Sequence, residues 1–267
     1  PHFPPFWYSA MKRFELVLLS IVIGMIGFVA IQAVSASGIT ATTETAELAP
    51  VERSIPRVAR RAGIVAVVAG DVAPAPSRDL EEIWRRIREG APGTYIHEIL
   101  IERDSSLARW PERQVKPLRV WVGTGEGLRN WDSTHKRRVR DAFLEWSATG
   151  IPVRFTFVTD SGDADIHVTW TEQFSDAISG KTLWARDRHW WIVNGTITIA
   201  LHHNGGEVLD GSAIKAIALH EVGHLLGLDH TVDTTNIMTP KVRVRALSQA
   251  DRATLRLLYS LPPGSLK

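Results

Sequence analysis

The run His220-Glu221-Val222-Gly223-His224-Leu225-Leu226-Gly227-Leu228-Asp229-His230 restricts what this chain can fold into more than any other stretch. His220 and His224 stand at i and i+4, so on a helix both imidazoles project from one face, one turn apart. Two neutral imidazoles placed that way can reach a single Zn²⁺ at about 2.0–2.1 Å. Glu221 adjoins the first imidazole, where a carboxylate acts as a base toward an attacking water rather than as a metal ligand. Gly227 follows the last helical residues and permits a left-handed turn that reverses the backbone without a Cβ clash. The reversal can return His230 as a third ligand and leave the fourth position open, the pattern of catalytic rather than structural zinc. Without a metal, such a helix would bury three imidazoles and a carboxylate with no evident partners.

With these residues in place, the chain resembles the metzincin clan of zinc endopeptidases and, within it, the matrixin family. That family carries H-E-x-x-H-x-x-G-x-x-H followed by a methionine turn beneath the metal. Asn236-Ile237-Met238-Thr239-Pro240 follows His230 at the matrixin distance, which makes Met238 the expected Met-turn residue. Thr231 stands where Ser is usual and Thr239 where Tyr is usual; neither is a metal ligand, so the departures bear on the shape of the specificity pocket. The resemblance covers roughly Leu118 to Leu261 and is strongest from His220 to Pro240. It implies an α+β metzincin (zincin-like) fold: a twisted mixed sheet, two long helices and a C-terminal helix.

Composition narrows the function classes. Apolar residues make up 44% and charged residues 22%, as in a folded globular protein. A formal net charge of +2, with no basic stripe interleaved with aromatics, gives no reason to expect a nucleic-acid partner. The absence of cysteine excludes disulfides, thiol catalysis and cysteine-ligated zinc. It also excludes the pro-segment cysteine with which matrixins often hold themselves latent.

Met11-Lys12-Arg13 reads as the charged start of an export signal, ahead of an almost wholly apolar run from Phe14 to Val34. Val34-Ser35-Ala36 has the small residues of a cleavage site, but the run is also long enough to span a bilayer as a signal anchor. Either way the expectation is export, secreted or membrane-anchored with the catalytic domain outside the cytoplasm. Three segments follow: 1–36 as N-terminal extension and signal, 37–93 as linker and possible pro-segment, and 94–267 as the metallopeptidase domain. Arg53, Arg57, Arg60 and Arg61 form a basic cluster best read as a solvated charge run.

Along the chain, Ile64 to Ala69 is β-prone, and Asp79 and Glu82 have capping-box spacing at the start of a helix that Gly90 ends. Thr94 to Glu102 reads as a strand, as does Leu118 to Val122. Gly123, Gly125 and Gly127 lack the spacing of a phosphate-binding loop and read as a turn. An amphipathic helix from about Ser133 buries Val139, Ala142, Phe143 and Trp146, and strands follow at Val153 to Val158 and Ala164 to Trp170. Thr196 to Leu201 is the strand before the zinc helix, for which Ser212 is a good N-cap. A helix from Ser248 to Tyr259, capped by Ser248 and Asp251, closes the chain. By resemblance Lys181 to Arg186 is an edge strand that pairs antiparallel with an extended substrate, so Thr182, Leu183, Trp184 and Ala185 should border the cleft.

Weaker candidates complete the inventory. A second zinc would need His167, Asp187, His189, His202 and His203, whose spacing does not reproduce the family's pattern. Asp160, Asp163 and Asp165 offer carboxylates for Ca²⁺, yet Asp160-Ser161-Gly162-Asp163 is also an ordinary turn. The expected reaction is hydrolysis of a peptide bond in a protein or peptide substrate by a monomer carrying one zinc, with Glu221 as base. Two other readings stay open: an exported zinc-bound interaction protein with a blocked cleft, and a zinc hydrolase of a non-peptide amide or ester.

Overall fold

The computed structural model describes residues 63–67 and 70–267. The expected export signal, the first part of the 37–93 segment and the arginine cluster lie outside the described residues. In chain order the elements are β1 (Gly63–Val67), α1 (Leu80–Gly90), α2 (Ile96–Glu102), β2 (Ser106–Leu107), β3 (Arg113–Val122) and α3 (Thr134–Ser147). They continue with β4 (Val153–Val158), β5 (Ile166–Thr171), β6 (Gly180–Arg186), β7 (Ile192–Ala200), α4 (Gly211–Leu225), α5 (Gln249–Ser260) and β8 (Gly264–Ser265).

The main sheet runs β1-β6-β7-β5-β3-β4, and β2 pairs separately with β8. Within the main sheet only β6 and β7 are antiparallel; the other neighbours are parallel. This is the mixed sheet expected of the α+β fold. Strand β5 shows why it forms: Ile166, Val168 and Trp170 are buried while the residues between them are half-exposed, a period of two. Helix α3 buries Val139, Ala142, Phe143 and Trp146 at helical spacing, with Phe143 edge-on to Phe155 of β4 at 4.9 Å. The Trp146 indole N–H donates to the Leu219 carbonyl of α4 at 2.8 Å, tying the two long helices together. Trp110 does the same at the end of α4, donating to the Leu225 carbonyl at 2.9 Å, one of the carbonyls a helix leaves unpaired at its C-terminus. Ile83 and Ile87 of α1 belong to the same core as the strands and the zinc-motif helix. No helix among the described residues is long and apolar enough to cross a membrane.

Three local expectations need correction. Residues 96–102 form helix α2, not a strand; Ile96, Ile99 and Leu100 are buried at helical spacing, and that period outweighs the β-branched content. The N-cap of α4 is Asp210, not Ser212: its carboxylate accepts from the N–H groups of Ser212 and Ala213 at 2.8 and 2.7 Å. These bonds, the Ser212 hydroxyl foremost, hold the Asp210 carboxyl down to about 2. Finally, β6 is not the outer strand: β1 lies beyond it in parallel, with Gly63 opposite Leu183 and Val67 opposite Arg186. The helix starts read from Asp79 and Ser248 stand, and α5 carries the full capping box between Ser248 and Asp251.

Candidate metal centre

Helix α4 presents His220, Glu221 and His224, all buried. Two residues past the helix, Gly227 adopts φ +102°, and a Cβ there would lie 2.1 Å from the Ala108 carbonyl oxygen. Only glycine makes that turn, which returns the chain so that His230 faces the helix. The Nε2 atom of His224 then lies 3.0 Å from that of His220 and 3.2 Å from that of His230. Ligands about 2.05 Å from a tetrahedral centre sit roughly 3.3 Å apart, so the spacing is close to what zinc requires.

The outer nitrogens settle which face of each ring is free. His220 Nδ1 is 2.8 Å from the Ile237 carbonyl and His224 Nδ1 is 3.1 Å from the Leu228 carbonyl. A carbonyl only accepts, so both Nδ1 atoms carry the proton and both Nε2 atoms face each other as bare lone pairs. Such a pair repels at 3.0 Å unless a cation draws both inward, and the donor set therefore fits zinc. Among the described residues this is the one group of three or more His, Cys, Asp or Glu side chains able to hold a metal ion.

Glu221 is 5% exposed, and its carboxylate accepts from the Thr182 hydroxyl at 2.6 Å. Burial pushes its carboxyl up to about 7, against the pull of that hydrogen bond. Gly180 makes room for it: a Cβ there would come within 2.3 Å of Glu221 Oε1 and 2.7 Å of its Cγ. Met238 is fully buried beneath α4, where a Cβ on Gly223 would lie 2.3 Å from its sulfur. Of the expected cleft residues, Thr182 and Trp184 are buried on the α4 side of β6, Ala185 is buried and Leu183 half-buried. The structure thus brings Thr182 to Glu221 itself, whereas Leu183, Trp184 and Ala185 pair with β1. Gly180 was not singled out from sequence, because a glycine ahead of a strand carries only a turn signal.

Gly180→Ala is expected to slow catalysis about tenfold at unchanged metal content, since crowding a buried side chain costs on the order of 1–3 kcal/mol. Steady-state rates beside zinc stoichiometry check this, and a wild-type rate would show that Glu221 need not be held where Gly180 lets it sit.

The remaining metal candidates are scattered and otherwise engaged. His202 bonds the Glu172 carbonyl and Asn130, His203 bonds Ser179, and His167 bonds the Ser161 carbonyl. The Asp187 carboxylate accepts the N–H groups of His189 and Trp191, and His189 lies 3.4 Å from Asp71. Asp165 is engaged by Arg119 and Asp160 by the N–H of Gly162.

Burial also sets how the metal-free protein responds to acid. It lowers the imidazoles of His220 (to about 4), His224 and His230 below their ordinary value, chiefly by desolvation. A histidine kept neutral by the fold contributes stability above its unfolded pKa of 6.5, lost as pH falls through the folded value. Glu221 runs the other way, its contribution present below 4.5 and lost as pH rises through about 7. Three imidazoles oppose one carboxylate, so the metal-free protein should lose stability on acidification from pH 6.5 to about 4. The slope is about 1.4 kcal/mol per pH unit for each net proton. Urea midpoints in chelator at the two ends of that window measure it; equal midpoints would mean the imidazoles are not held neutral.

Comparison with known proteins agrees with this geometry. Metalloendoproteinase 1 from Glycine max is 26% identical over 152 residues, 49% of this chain and 48% of that protein. The chain therefore spans about half the length of that curated relative. The matrixin (peptidase M10) family model matches residues 126–260, just over half of the chain and all of the span that carries the three histidines, Glu221 and Met238. On that match the chain belongs to the matrixin family, a family of zinc metalloendopeptidases.

Proposed function

We propose that this chain is a zinc-dependent endopeptidase in which His220, His224 and His230 hold the metal and Glu221 is the general base. The observation that carries the reading is the convergence of bare Nε2 lone pairs whose Nδ1 protons are spent on carbonyls. Bound there, zinc would supply Lewis-acid polarisation of the scissile carbonyl and a more acidic attacking water. Glu221 takes the proton as that water attacks and returns it to the leaving amine. Its burial supports the role: desolvation raises the carboxyl in the metal-free site, the direction that makes a carboxylate a stronger base. Thr182 fixes one carboxylate oxygen and leaves the other to receive the proton. Met238 floors the site by filling the space against Gly223. The substrate is an extended peptide that takes the place of β1 on β6, and the place of action is outside the cytoplasm, on the strength of the charged and apolar run from Met11 to Val34.

One observation favours a second reading, an interaction protein with a blocked cleft: β1 covers the strand on which a peptide would dock. Zinc content and peptide-library cleavage separate the two, measured on the full chain and on the chain from Gly70. One zinc per chain, with cleavage lost to a chelator and restored by zinc, supports the peptidase. Zinc without cleavage in either form moves the balance to the interaction protein or to a hydrolase of another amide or ester. No zinc removes the metal assignment of the three histidines.

A further inference from the structure

The segment that must hold His230 in place, from Gly227 to Thr239, contains no helix or strand. Its position is set instead by side chains from helix α2 and its flanks, which precede the family-matched span. Arg103 donates from Nε to Asp229 Oδ2 at 3.0 Å and from Nη2 to the Leu228 carbonyl at 2.8 Å. Both of those groups serve the metal site: the Leu228 carbonyl accepts from His224 Nδ1, and Asp229 Oδ1 accepts the N–H of His230 at 2.9 Å. On the other side of His230, Glu98 accepts from the Thr231 hydroxyl at 3.1 Å and the Val232 N–H at 2.7 Å. At the start of the helix, the Tyr95 hydroxyl donates to Asp251 at 3.0 Å, and Asp251 accepts the N–H of Ile237, whose carbonyl binds His220 Nδ1.

We propose that α2 is a clamp on the metal site, with Arg103 its principal positioning residue and Glu98 its second, setting zinc affinity rather than taking part in the chemistry. The proposal rests on the zinc reading above. Arg103 is one residue away from His224 Nδ1, through the Leu228 carbonyl, and from the His230 N–H, through Asp229, while Tyr95 reaches His220 Nδ1 through Asp251 and Ile237. Arg103 is the strongest of these links because its planar fork bonds two groups at once and its guanidinium also lies over the Trp184 ring, 5.3 Å from the centroid. The side chains of Arg103 and Asp229 are only 8% and 3% exposed. A buried ion pair is weak evidence for stability, since desolvation offsets its attraction, but it fixes geometry, because neither charge has water to turn to. Groups that orient metal ligands in this way typically change metal affinity by about 10–100-fold when removed.

Chelator-competition titration of zinc, with the zinc release rate and the melting temperature of the metal-free form, tests the proposal on the full chain. Arg103→Met is expected to weaken zinc binding by about 10–100-fold, and Arg103→Lys to fall between it and wild type because an ammonium cannot reproduce the fork. Glu98→Gln is expected to weaken binding about tenfold. A purely structural role would lower the melting temperature and leave zinc affinity alone; that result in Arg103→Met overturns the clamp. If Arg103→Met does not fold, Glu98→Gln reads the same quantity from the other side of His230, and wild-type affinity there overturns it equally. Failure of the wild-type chain to bind zinc sinks the metal reading and the clamp together, whereas a wild-type site with indifferent variants sinks the clamp alone.

Discussion

Replacing Glu221 with Gln should leave one zinc per chain and cut peptide cleavage by about three orders of magnitude, the middle of the range for general acid–base catalysis. Metal content is expected to hold because the three converging nitrogens belong to His220, His224 and His230, and Glu221 is not among them. Gln keeps the volume of the buried side chain and can still accept from the Thr182 hydroxyl, so the pocket bounded by Gly180 need not rearrange. What Gln cannot do is accept the proton of the attacking water. The same substitution has an opposite signature in stability. The wild-type carboxyl, raised to about 7, makes the metal-free fold less stable as pH rises from 4.5 through 7, and Gln removes that loss. In chelator above pH 7 the variant should therefore be the more stable protein, by up to about 3 kcal/mol. Cleavage above a tenth of wild type would take the role of base away from Glu221.

The part of the site legible in the sequence is the part whose geometry is local. His220, Glu221 and His224 lie within little more than one turn of helix, and Gly227 fixes where His230 must return, so spacing alone brings them together. Asp210 against Ser212 is a harder case, because both are good caps and only the backbone dihedrals decide where the helix begins. Residues 96–102 misled because three isoleucines raise strand propensity, while their spacing already matched a helix. Beyond that lie contacts with no local signal. Arg103 meets Asp229 across 126 positions and Glu98 meets Thr231 across 133, and a charged residue beside a short helix ordinarily reads as solvated surface. The β1–β6 pairing is of the same kind: the run Ile64 to Ala69 announces a strand, but nothing in it says which strand it will join.

That pairing leads to the second large effect. A chain beginning at Gly70 should cleave peptides one to two orders of magnitude faster than the longer chain at low substrate concentration. If substrate docks as proposed, an extended peptide would add to β6 through backbone N–H and C=O groups along Leu183 to Arg186, the stretch that β1 pairs with. Only one strand can hold them. An intramolecular competitor acts at an effective concentration of roughly millimolar, above the micromolar range at which many peptidases meet their substrates. The gain should therefore appear mainly in KM. Direction matters as well as occupancy. By the family resemblance a substrate runs antiparallel to β6, whereas β1 runs parallel to it, and a strand of that reversed polarity would block the proposed cleft rather than be cut in it. A synthetic peptide spanning Gly63 to Val67 with a few flanking residues should accordingly inhibit the shortened chain competitively without being cut. Asp71, which pairs with Arg188, and Val72, whose N–H meets Asp187, lie after the proposed start, so the anchorage of the hairpin between β6 and β7 is retained. Equal KM in the two forms would show that β1 does not stand in the substrate's way, and a lower rate in the shorter form would make β1 a structural strand of the sheet instead.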